Sequence, residues 1–510
     1  MAKKQSIEKT KIDFLLLFTY IYLTLPFILF VLTWLKPIYG IVLAAITIFG
    51  IYCCLKNETP LWHMNKSKNN YLILALILFI IILWTLTSGV GSSVTQYPDH
   101  LYRNGLFRIL IDRDWPVHLT YNNTSKALTY YIGFWLPAAF IGKFTSYQFA
   151  FLCLQIWMVI GLCLIVYYIY EKHQKIKLWY FIVFVFFGGA DWIGYKLIGE
   201  SFNQLGNRLE WWAYVYNYPG IMTSTFWVYN QCIYAWLIHS MIMRQKNNKN
   251  LLFIWSFSLM NCTFPAVGMI PFVIYRALRN VEAKNFVERF INAVKQCFSW
   301  QFLSGFTVAL LSAIYLFSNI IVSQTMANPD TTNHLISASN TLTATNATVI
   351  TFDAYKWTTR MYIYTWFVLL EFGLYYIVIY QAENHKTIYW LSLIVLLVTP
   401  LITVGYWIDY CMRGSIPALF VMYHLVIDAF EKYFEEKKYH LLTLLVIFSL
   451  MSTMTCYDTL VGVMQPMANN FYNGASVSAD AFSEQYIFNA NHFFGSENSF
   501  FFKYLAKESK

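Results

Sequence analysis

Residues 12–35 read IDFLLLFTYIYLTLPFILFVLTWL, an apolar run in which Asp13 is the one charged side chain. A helix of about 20 apolar residues is long enough to cross the hydrocarbon core of a bilayer. The lysine-containing segment 1–11 resembles the start of a secretory signal peptide, but the apolar part of such a peptide is shorter than this run. We therefore expect residues 12–35 to stay in the protein as its first membrane span.

The composition of the whole chain agrees with this interpretation. Hydrophobic residues make up 58% of the 510 residues and charged residues 12%, whereas about a quarter of the residues in a soluble domain are charged. Further apolar segments lie at about 38–55, 71–88, 129–143, 147–170, 178–195, 219–243, 251–278, 301–322, 361–380, 388–407, 414–430 and 439–456. The pattern predicts an all-α polytopic membrane protein with about 11–13 transmembrane or re-entrant helices.

The positions of the basic residues predict which loops face the cytoplasm, since lysine and arginine concentrate on that side of a membrane. Basic segments occur at 3–11, 56–68, 172–177, 244–249, 276–295 and 432–438. We expect these segments and the amino terminus to be cytoplasmic. The net charge of +10 is spread over short loops and forms no basic face, which argues against nucleic-acid binding.

The remaining long loops, 89–128, 196–218 and 323–358, are therefore expected outside. Residues 1–70 should hold the first spans, and residues 71–430 the transmembrane core with its outer loops. The last span is expected at 431–456, and 457–510 should form a short tail outside the membrane.

Two apolar segments are expected to be broken. Residues 129–143 are short for a span and contain Pro137, and residues 251–278 have basic flanks and contain Pro265 and Pro271. Broken backbone is tolerated at membrane depth where protein or a water-filled cavity covers it, so these segments indicate an enclosed cavity. The alternative, a proline-kinked helix together with one miscounted loop, stays open.

The first outer loop contains the densest group of chemically reactive side chains. Residues 96–120 read QYPDHLYRNGLFRILIDRDWPVHLT, and their mixture of charged and apolar residues predicts an interfacial helix. Asp99, His100 and Arg103 are candidate site residues. A helix cap is the alternative role for Asp99.

Two further acids lie later in the same loop. Asp112 and Asp114 flank Arg113, so they are rival candidates for an acid–base role. A salt-linked turn is the simpler interpretation of this pair.

A second candidate for binding an anion is Arg413 in the stretch DYCMRGSIP, residues 409–417. It follows Asp409 by four residues, so the two side chains can pair on one helical face. Arg413 is either a phosphate ligand through bidentate hydrogen bonds or one half of a structural pair. The spacing does not decide between these roles.

Other polar residues accompany the remaining apolar segments. Asp191 follows Gly188 and Gly189, and Glu210 precedes Trp211 in the second outer loop. Aromatic faces suit sugar rings, although tryptophans at a membrane edge are commonly interface anchors.

Glu371 falls near the middle of the segment 361–380. An acid at the centre of a membrane helix costs roughly 2.5–3.5 kcal/mol on an insertion scale. Its carboxyl group must therefore be protonated, paired or in contact with water.

Several stretches carry a resemblance to a known family. WPV at 115–117 is followed by LTYYIGFWLPAAFIGKF, and residues 187–236 contain FGGADWIG, LEWWAYVYNYPG and FWVYNQCIYAW. An acid near the start of the first outer loop, a juxtamembrane helix and a tyrosine-rich return segment resemble the GT-C superfamily of integral-membrane glycosyltransferases. Protein O-mannosyltransferases and lipid A aminoarabinose transferases belong to it. The WPV, LEWW and MR-SIP stretches also resemble a group of bacterial multi-spanning proteins, and the broken segment 251–278 resembles the hairpin of the superfamily.

The resemblance implies transfer of a sugar from a polyprenyl-phosphate donor to a cell-envelope glycan, glycolipid or teichoic-acid-like acceptor. The reaction would occur at the outer face of a bacterial cytoplasmic membrane, with inversion. Asp99 would take the proton of the acceptor, and cationic groups would offset charge on the departing phosphate. The implied substrate-binding residues are His100, Arg103, Asp191, Glu210, Trp211 and Arg413.

The chain departs from the family pattern in two ways. Two further apolar segments, 38–55 and 71–88, lie between the first span and the loop of Asp99, and Asp99-His100 stands in place of a paired acid. No metal site is therefore predicted, and metal dependence and other cofactors are left open. A transporter or flippase of lipid-linked glycans, which would give Glu371 a role, and a polysaccharide polymerase are the alternative functions.

Overall fold

The computed structural model describes residues 13–91, 99–121, 124–198, 209–213, 216–320, 357–402, 404, 409–464 and 493–508, and most of these are helical. The helices are α1 (Phe14–Trp34), α2 (Pro37–Asn57), α3 (Lys68–Thr87), α4 (Asp99–Asp112), α5 (Leu136–Gly142), α6 (Tyr147–His173), α7 (Leu178–Val185), α8 (Asp191–Leu197), α9 (Ile221–Arg244), α10 (Leu251–Ser256), α11 (Thr263–Arg279), α12 (Phe286–Cys297), α13 (Trp300–Leu316), α14 (Trp357–Val368), α15 (Leu374–Glu383), α16 (Thr387–Val398), α17 (Asp409–Gly414), α18 (Ile416–Glu435) and α19 (Tyr439–Met464). The strands are β1 (His118–Tyr121), β2 (Thr124–Leu128) and β3 (Phe494–Gly495).

Polar residues fix where several long helices begin. Asp13, Ser67 and Ser146 cap α1, α3 and α6, each by accepting hydrogen bonds from backbone N–H groups that the first turn leaves free. The second carboxylate oxygen of Asp13 accepts a hydrogen bond from the backbone N–H of Leu61 at 3.0 Å. Asp13 therefore also ties the start of α1 to the loop that follows α2.

Among the described residues, seven helices are long and apolar enough to cross a membrane. They are Phe14–Trp34, Pro37–Asn57, Lys68–Thr87, Tyr147–His173, Trp357–Glu383, Asp409–Glu435 and Tyr439–Val461. An eighth candidate is the pair α12 and α13, which meet at a bend of 83°. The chain is therefore a mostly helical, multi-pass membrane protein, in line with the predicted class. The small sheet of β1, β2 and β3 was not predicted. The larger number of segments expected from the sequence includes re-entrant pieces and stays a prediction.

The segments expected to be broken are broken. Residues 129–143 contain a 3₁₀ turn, Gly133–Trp135, followed by the short helix α5. At about 1.5 Å per residue, this pair cannot cross a hydrocarbon core of about 30 Å. Residues 251–278 form α10 and α11, which a non-helical segment separates.

The apolar segment 178–195, expected to be a single helix, is also divided, into α7 and α8. The break lies at Gly188 and Gly189. A Cβ at Gly189 would overlap the Oε2 atom of Glu371, and one at Gly188 would lie 3.3 Å from the Cα of Gly220. The helix ends here because its backbone has to approach Glu371 and the start of α9 closely.

Helix α9 lies in the interior of the bundle, and most of its residues are buried. Helices α6, α11 and α18 pack around it. Val228 leaves the helical conformation, with φ −139° and ψ 37°, so α9 is kinked. The kink lies beside Phe226, whose carbonyl oxygen receives a hydrogen bond from another helix.

Charged groups gather where α2, α6 and α9 end. The Arg244 guanidinium pairs with Glu58, donates to the carbonyl oxygen of Thr59 at 2.7 Å and lies 3.4 Å from Glu171. The side chains of Arg244 and Glu58 are only 6% and 2% exposed. Gln245 donates to the other carboxylate oxygen of Glu58 at 2.6 Å. This buried ion pair is thus completed by hydrogen bonds, which a buried pair requires to be stable.

The same end of the bundle collects the basic segments. Lys175 and Lys177 lie 2.9 and 2.5 Å from the carboxylate oxygens of Glu431, near the end of α18. The segments 56–68, 172–177, 244–249 and 432–438, which the sequence assigns to one side of the membrane, therefore lie at one end. That this end is cytoplasmic stays a prediction.

The opposite end carries the small sheet, in which β2 pairs with β1 and β3 in antiparallel order. From β3 the segment 493–508 runs along the turn between α1 and α2. The backbone N–H of Lys36 donates to the carbonyl oxygen of Leu505, and that of Lys507 to Trp34, both at 2.9 Å. This segment therefore closes the end of the bundle that carries α4.

Replacing Arg244 with alanine is expected to destabilise the protein strongly. The change leaves Glu58 as an uncompensated buried carboxylate, which costs about 3–5 kcal/mol. Thermal unfolding of the purified protein in detergent measures the effect. The matched control is Arg289→Ala, on the exposed side of α12, which should change stability by about 0.5 kcal/mol or less. Equal melting temperatures for the two variants would contradict this account.

Candidate functional site

The first turn of α4 brings an aspartate and an arginine onto one face. Arg103 Nη2 donates to Asp99 Oδ2 at 3.0 Å, as expected for residues four apart on a helix. The side chain of Asp99 is 40% exposed, and that of Arg103 is 11% exposed. The carboxylate is thus accessible to a second molecule, while the guanidinium lies deeper.

His100 points into the bundle. Its Nε2 atom lies 2.8 Å from the carbonyl oxygen of Phe226, and its ring stacks on Tyr229 with centroids 5.7 Å apart. Burial, together with the charge of Arg103, lowers the pKa of His100 to about 3. At neutral pH the ring is therefore uncharged, and its Nε2–H donates to Phe226. His100, expected to bind substrate, anchors α4 to the kink of α9.

Tyr130 and Tyr131 follow β2, and their rings lie against each other at an angle of 31° with centroids 3.7 Å apart. The Tyr130 hydroxyl donates to that of Tyr131, and Gln231 also donates to the Tyr131 hydroxyl, at 3.2 Å. The backbone N–H of Tyr130 donates to the hydroxyl of Tyr315 at 3.2 Å. Burial raises the pKa of Tyr131, so its hydroxyl stays protonated. These contacts hold the tyrosine pair in one place.

Helix α17 supplies a second ion pair. Arg413 Nη1 lies 3.0 Å from Asp409 Oδ1, and the two side chains are 14% and 19% exposed. The guanidinium carbon of Arg413 lies 6.0 Å from the centre of the Phe264 ring. The spacing-based prediction that Asp409 and Arg413 can pair is therefore confirmed, but the pairing does not decide between a phosphate ligand and a structural role.

The arginines of the two ion pairs both interact with the tyrosine pair. Arg103 and Arg413 both interact electrostatically with Tyr130 and Tyr131. Asp99 interacts electrostatically with Arg413. Arg103 Nη1 and Arg413 Nε are buried and have no hydrogen-bond partner in the described part of the chain. We call Asp99, Arg103, Tyr130, Tyr131 and Arg413 together the arginine site. It offers N–H donors for an anion beside a carboxylate that can accept a proton.

Asp191, Glu210 and Glu371 come together in a second group, here called the acid cluster. They are 1%, 8% and 2% exposed. Asp191 and Glu371 lie within hydrogen-bond reach of each other, and Glu210 acts electrostatically on both. Burial raises the pKa of Asp191 and of Glu210. Within the described ranges, the ion pairs of the protein involve none of these three carboxyl groups.

Uncharged donors hold the acid cluster instead. Trp212 Nε1 donates to Glu371 Oε1 at 2.9 Å, and Thr455 Oγ1 donates to Asp191 Oδ2 at 2.7 Å. Glu210 Oε1 accepts a backbone N–H at the start of α9 at 2.8 Å. The residues that the sequence groups as substrate-binding are thus divided between two places.

The other candidate residues have local partners. Trp211 is 37% exposed and lies against Trp227 of α9, with ring centroids 6.2 Å apart. Asp112 pairs with Arg108 at 3.7 Å, and Asp114 acts electrostatically on Lys143. These last contacts fit the salt-linked turn that the sequence favours for the two acids.

Sequence reasoning did not assign roles to Tyr131 or Gln231. The tyrosine-rich pattern after β2 and the polar pair Asn230-Gln231 within an apolar segment were visible signals. Their convergence with Arg413 depends on the packing of α9 and α17, which no local pattern reports. For a metal ion, no suitable group of three or more His, Cys, Asp or Glu side chains occurs among the described residues.

Comparison with protein-family models gives no match for this chain, and comparison with curated proteins gives none either. Functional interpretation therefore depends on the arrangement of the residues themselves.

Proposed function

We propose that this protein is a membrane glycosyltransferase of the GT-C type, with the arginine site as its reaction centre. It takes a sugar from a polyprenyl-phosphate donor and transfers it to a cell-envelope glycan, glycolipid or teichoic-acid-like acceptor. The site lies at the end of the bundle opposite the basic segments. The distribution of lysine and arginine assigns this end to the outer face.

The observation that carries the proposal is a pair of buried guanidinium N–H groups, on Arg103 and Arg413, that have no acceptor within the described ranges. A buried donor without a partner costs free energy, and a phosphate oxygen would satisfy it. Arginine binds phosphate well because its planar group presents several N–H donors at once. The two side chains come from α4 and α17 and act electrostatically on the same tyrosine pair, and the proposal places the donor phosphate between them.

Asp99 supplies the other requirement of the reaction. In an inverting transfer, the acceptor hydroxyl gives its proton to a carboxylate while its oxygen bonds to the anomeric carbon. The bond from that carbon to the phosphate oxygen breaks, and the lipid phosphate departs with its electron pair. Asp99 is exposed enough to meet an acceptor, and Arg413 lies near it to offset the charge on the phosphate.

The acid cluster favours a second candidate function, a transporter or flippase of lipid-linked glycans. Glu371 lies within the candidate span Trp357–Glu383 and is buried beside Asp191. Ionisable groups at membrane depth often mark ion or proton pathways. A transferase assigns no chemical step to these acids, so the two functions predict different outcomes for variants of Glu371.

Replacing Asp99 with asparagine should lower the transfer rate by roughly 10²- to 10⁴-fold, the usual contribution of a general base. The measurement is release of polyprenyl phosphate from labelled polyprenyl-phosphate sugars by protein in nanodiscs containing envelope lipids. Asp112→Asn is the matched control, because Asp112 is on the same helix, is 35% exposed and also pairs with an arginine four residues away. A wild-type rate in the Asp99 variant would remove this residue from the mechanism.

Replacing Arg413 with lysine should weaken binding of polyprenyl monophosphate by roughly 10- to 100-fold. Lysine keeps the charge but loses the forked geometry, and a hydrogen bond to a charged group contributes about 1.5–3 kcal/mol. Native mass spectrometry of the protein with added polyprenyl monophosphate reports the affinity. The Arg289→Lys variant, exposed on α12, should bind like the wild type. Equal affinity in both variants would exclude Arg413 as a phosphate ligand.

Glu371→Gln separates the two candidate functions. Glutamine keeps the size of the side chain and an oxygen for Trp212, so a transferase should retain its rate to within a few fold. A coupled transporter should lose its flux, because the amide cannot ionise. Transfer in nanodiscs and flipping of a fluorescent lipid-linked glycan in vesicles measure the two activities. Lost flux with no transferase activity in the wild type would establish the alternative.

A further inference from the structure

The acid cluster has an unusual hydrogen-bond balance. Asp191 Oδ2 and Glu371 Oε1 each accept a hydrogen bond from a neutral donor, Thr455 and Trp212. The remaining oxygens, Asp191 Oδ1 and Glu371 Oε2, are buried and lack a hydrogen-bond donor among the residues that the structure describes. Yet the two carboxyl groups lie within hydrogen-bond reach of each other. Two ionised carboxylates cannot satisfy this geometry, because both are acceptors and they repel.

Backbone features fix Glu371 in this position. A π-helical turn, Leu369–Gly373, interrupts the helix between α14 and α15 and contains Glu371. Such turns are rare and occur frequently at functional sites. The backbone of Gly189 approaches Glu371 so closely that any side chain there would overlap its Oε2 atom, and the N–H of Ala190 donates to the carbonyl oxygen of Leu370 at 3.0 Å. Two segments thus hold the carboxyl groups together.

The groups that face the pair are mostly neutral or acidic. Glu210 and Asp458 act on it electrostatically, and Thr455 and Trp212 are its hydrogen-bond donors. Other titratable groups among the described residues that interact with these acids electrostatically include Cys411, Cys456, Tyr218 and Tyr375. An environment of this kind favours a neutral carboxyl group over a second negative charge.

We propose that Asp191 and Glu371 form a proton-binding site in which one proton is shared between Asp191 Oδ1 and Glu371 Oε2. One carboxyl group donates and the other accepts, so the pair carries one negative charge in place of two. Binding takes a proton from water and breaks no covalent bond of the protein. The site is distinct from the arginine site and does not depend on the transferase proposal.

Infrared spectroscopy tests the shared proton directly. The full-length protein in nanodiscs at neutral pH should show a carbonyl band of a protonated carboxyl group that shifts in heavy water. Both Glu371→Gln and Asp191→Asn should remove the same band, because each amide can donate to the remaining carboxylate. Asp112→Asn, at an exposed ion pair, should leave it unchanged. Absence of the band in the wild type, or its loss in only one of the two variants, would overturn the proposal.

A second variant keeps the test valid if the charge-removing changes prevent folding. Thr455→Val removes one neutral donor from Asp191 but leaves both carboxyl groups, so the band should shift in frequency and persist. A band unaffected by this change would show that it arises elsewhere and would refute the assignment.

The pair should also make stability depend on pH. The unfolded chain releases both protons above about pH 4, whereas the folded protein retains the shared one, so stability falls as pH rises above that value. Melting temperatures between about pH 5 and pH 9 should fall more in the wild type than in the double variant Asp191→Asn, Glu371→Gln. Parallel curves would show that no proton is retained and would contradict the proposal.

Discussion

Hydrocarbon does not solvate charge, so this protein has to solvate its own charged groups wherever its helices pass through the bilayer. That constraint explains where the ion pairs lie. Glu58 and Arg244 are nearly inaccessible, yet each has several hydrogen-bonding neighbours at the ends of three helices. Between the two ends, the long helices expose mainly apolar side chains. The length of the spans and the clustering of charges thus have a common physical cause.

Two groups of buried polar residues depart from this pattern of ion pairs completed by hydrogen bonds. At the end that carries α4, two guanidinium groups retain buried N–H donors that have no acceptor in the described part of the chain. In the acid cluster, three carboxyl groups share one region, and their hydrogen bonds within the described ranges come from neutral donors. The kinked helix α9 connects the two places, because its start contacts Glu210 and the next turn contacts His100. Both departures occur where helices are interrupted, at Val228, at Gly189 and at the π-helical turn.

The sequence predicted the class of the fold and several local features well. Runs of apolar residues and the proline-containing segments act over a few residues, so they are readable from the chain alone. The break at Gly188 and Gly189 was not predicted, because its cause is the approach of Glu371 from a distant helix. For the candidate site, the residue types were recognised from local patterns. Their division into the arginine site and the acid cluster depends on packing among α4, α9, α14 and α17, which local patterns do not encode.

The segment 493–508 lies far along the sequence, but in the fold it packs beside the turn between the first two helices. It adds a strand to the hairpin that leads to Tyr130, and its backbone bonds to both sides of the α1–α2 turn. A ribosome makes these residues after all the described spans have been synthesised. The surface around the arginine site is consequently completed only when translation has passed residue 508 and this segment has joined its partners. Until then, the nascent protein has the groups of the site without their final enclosure.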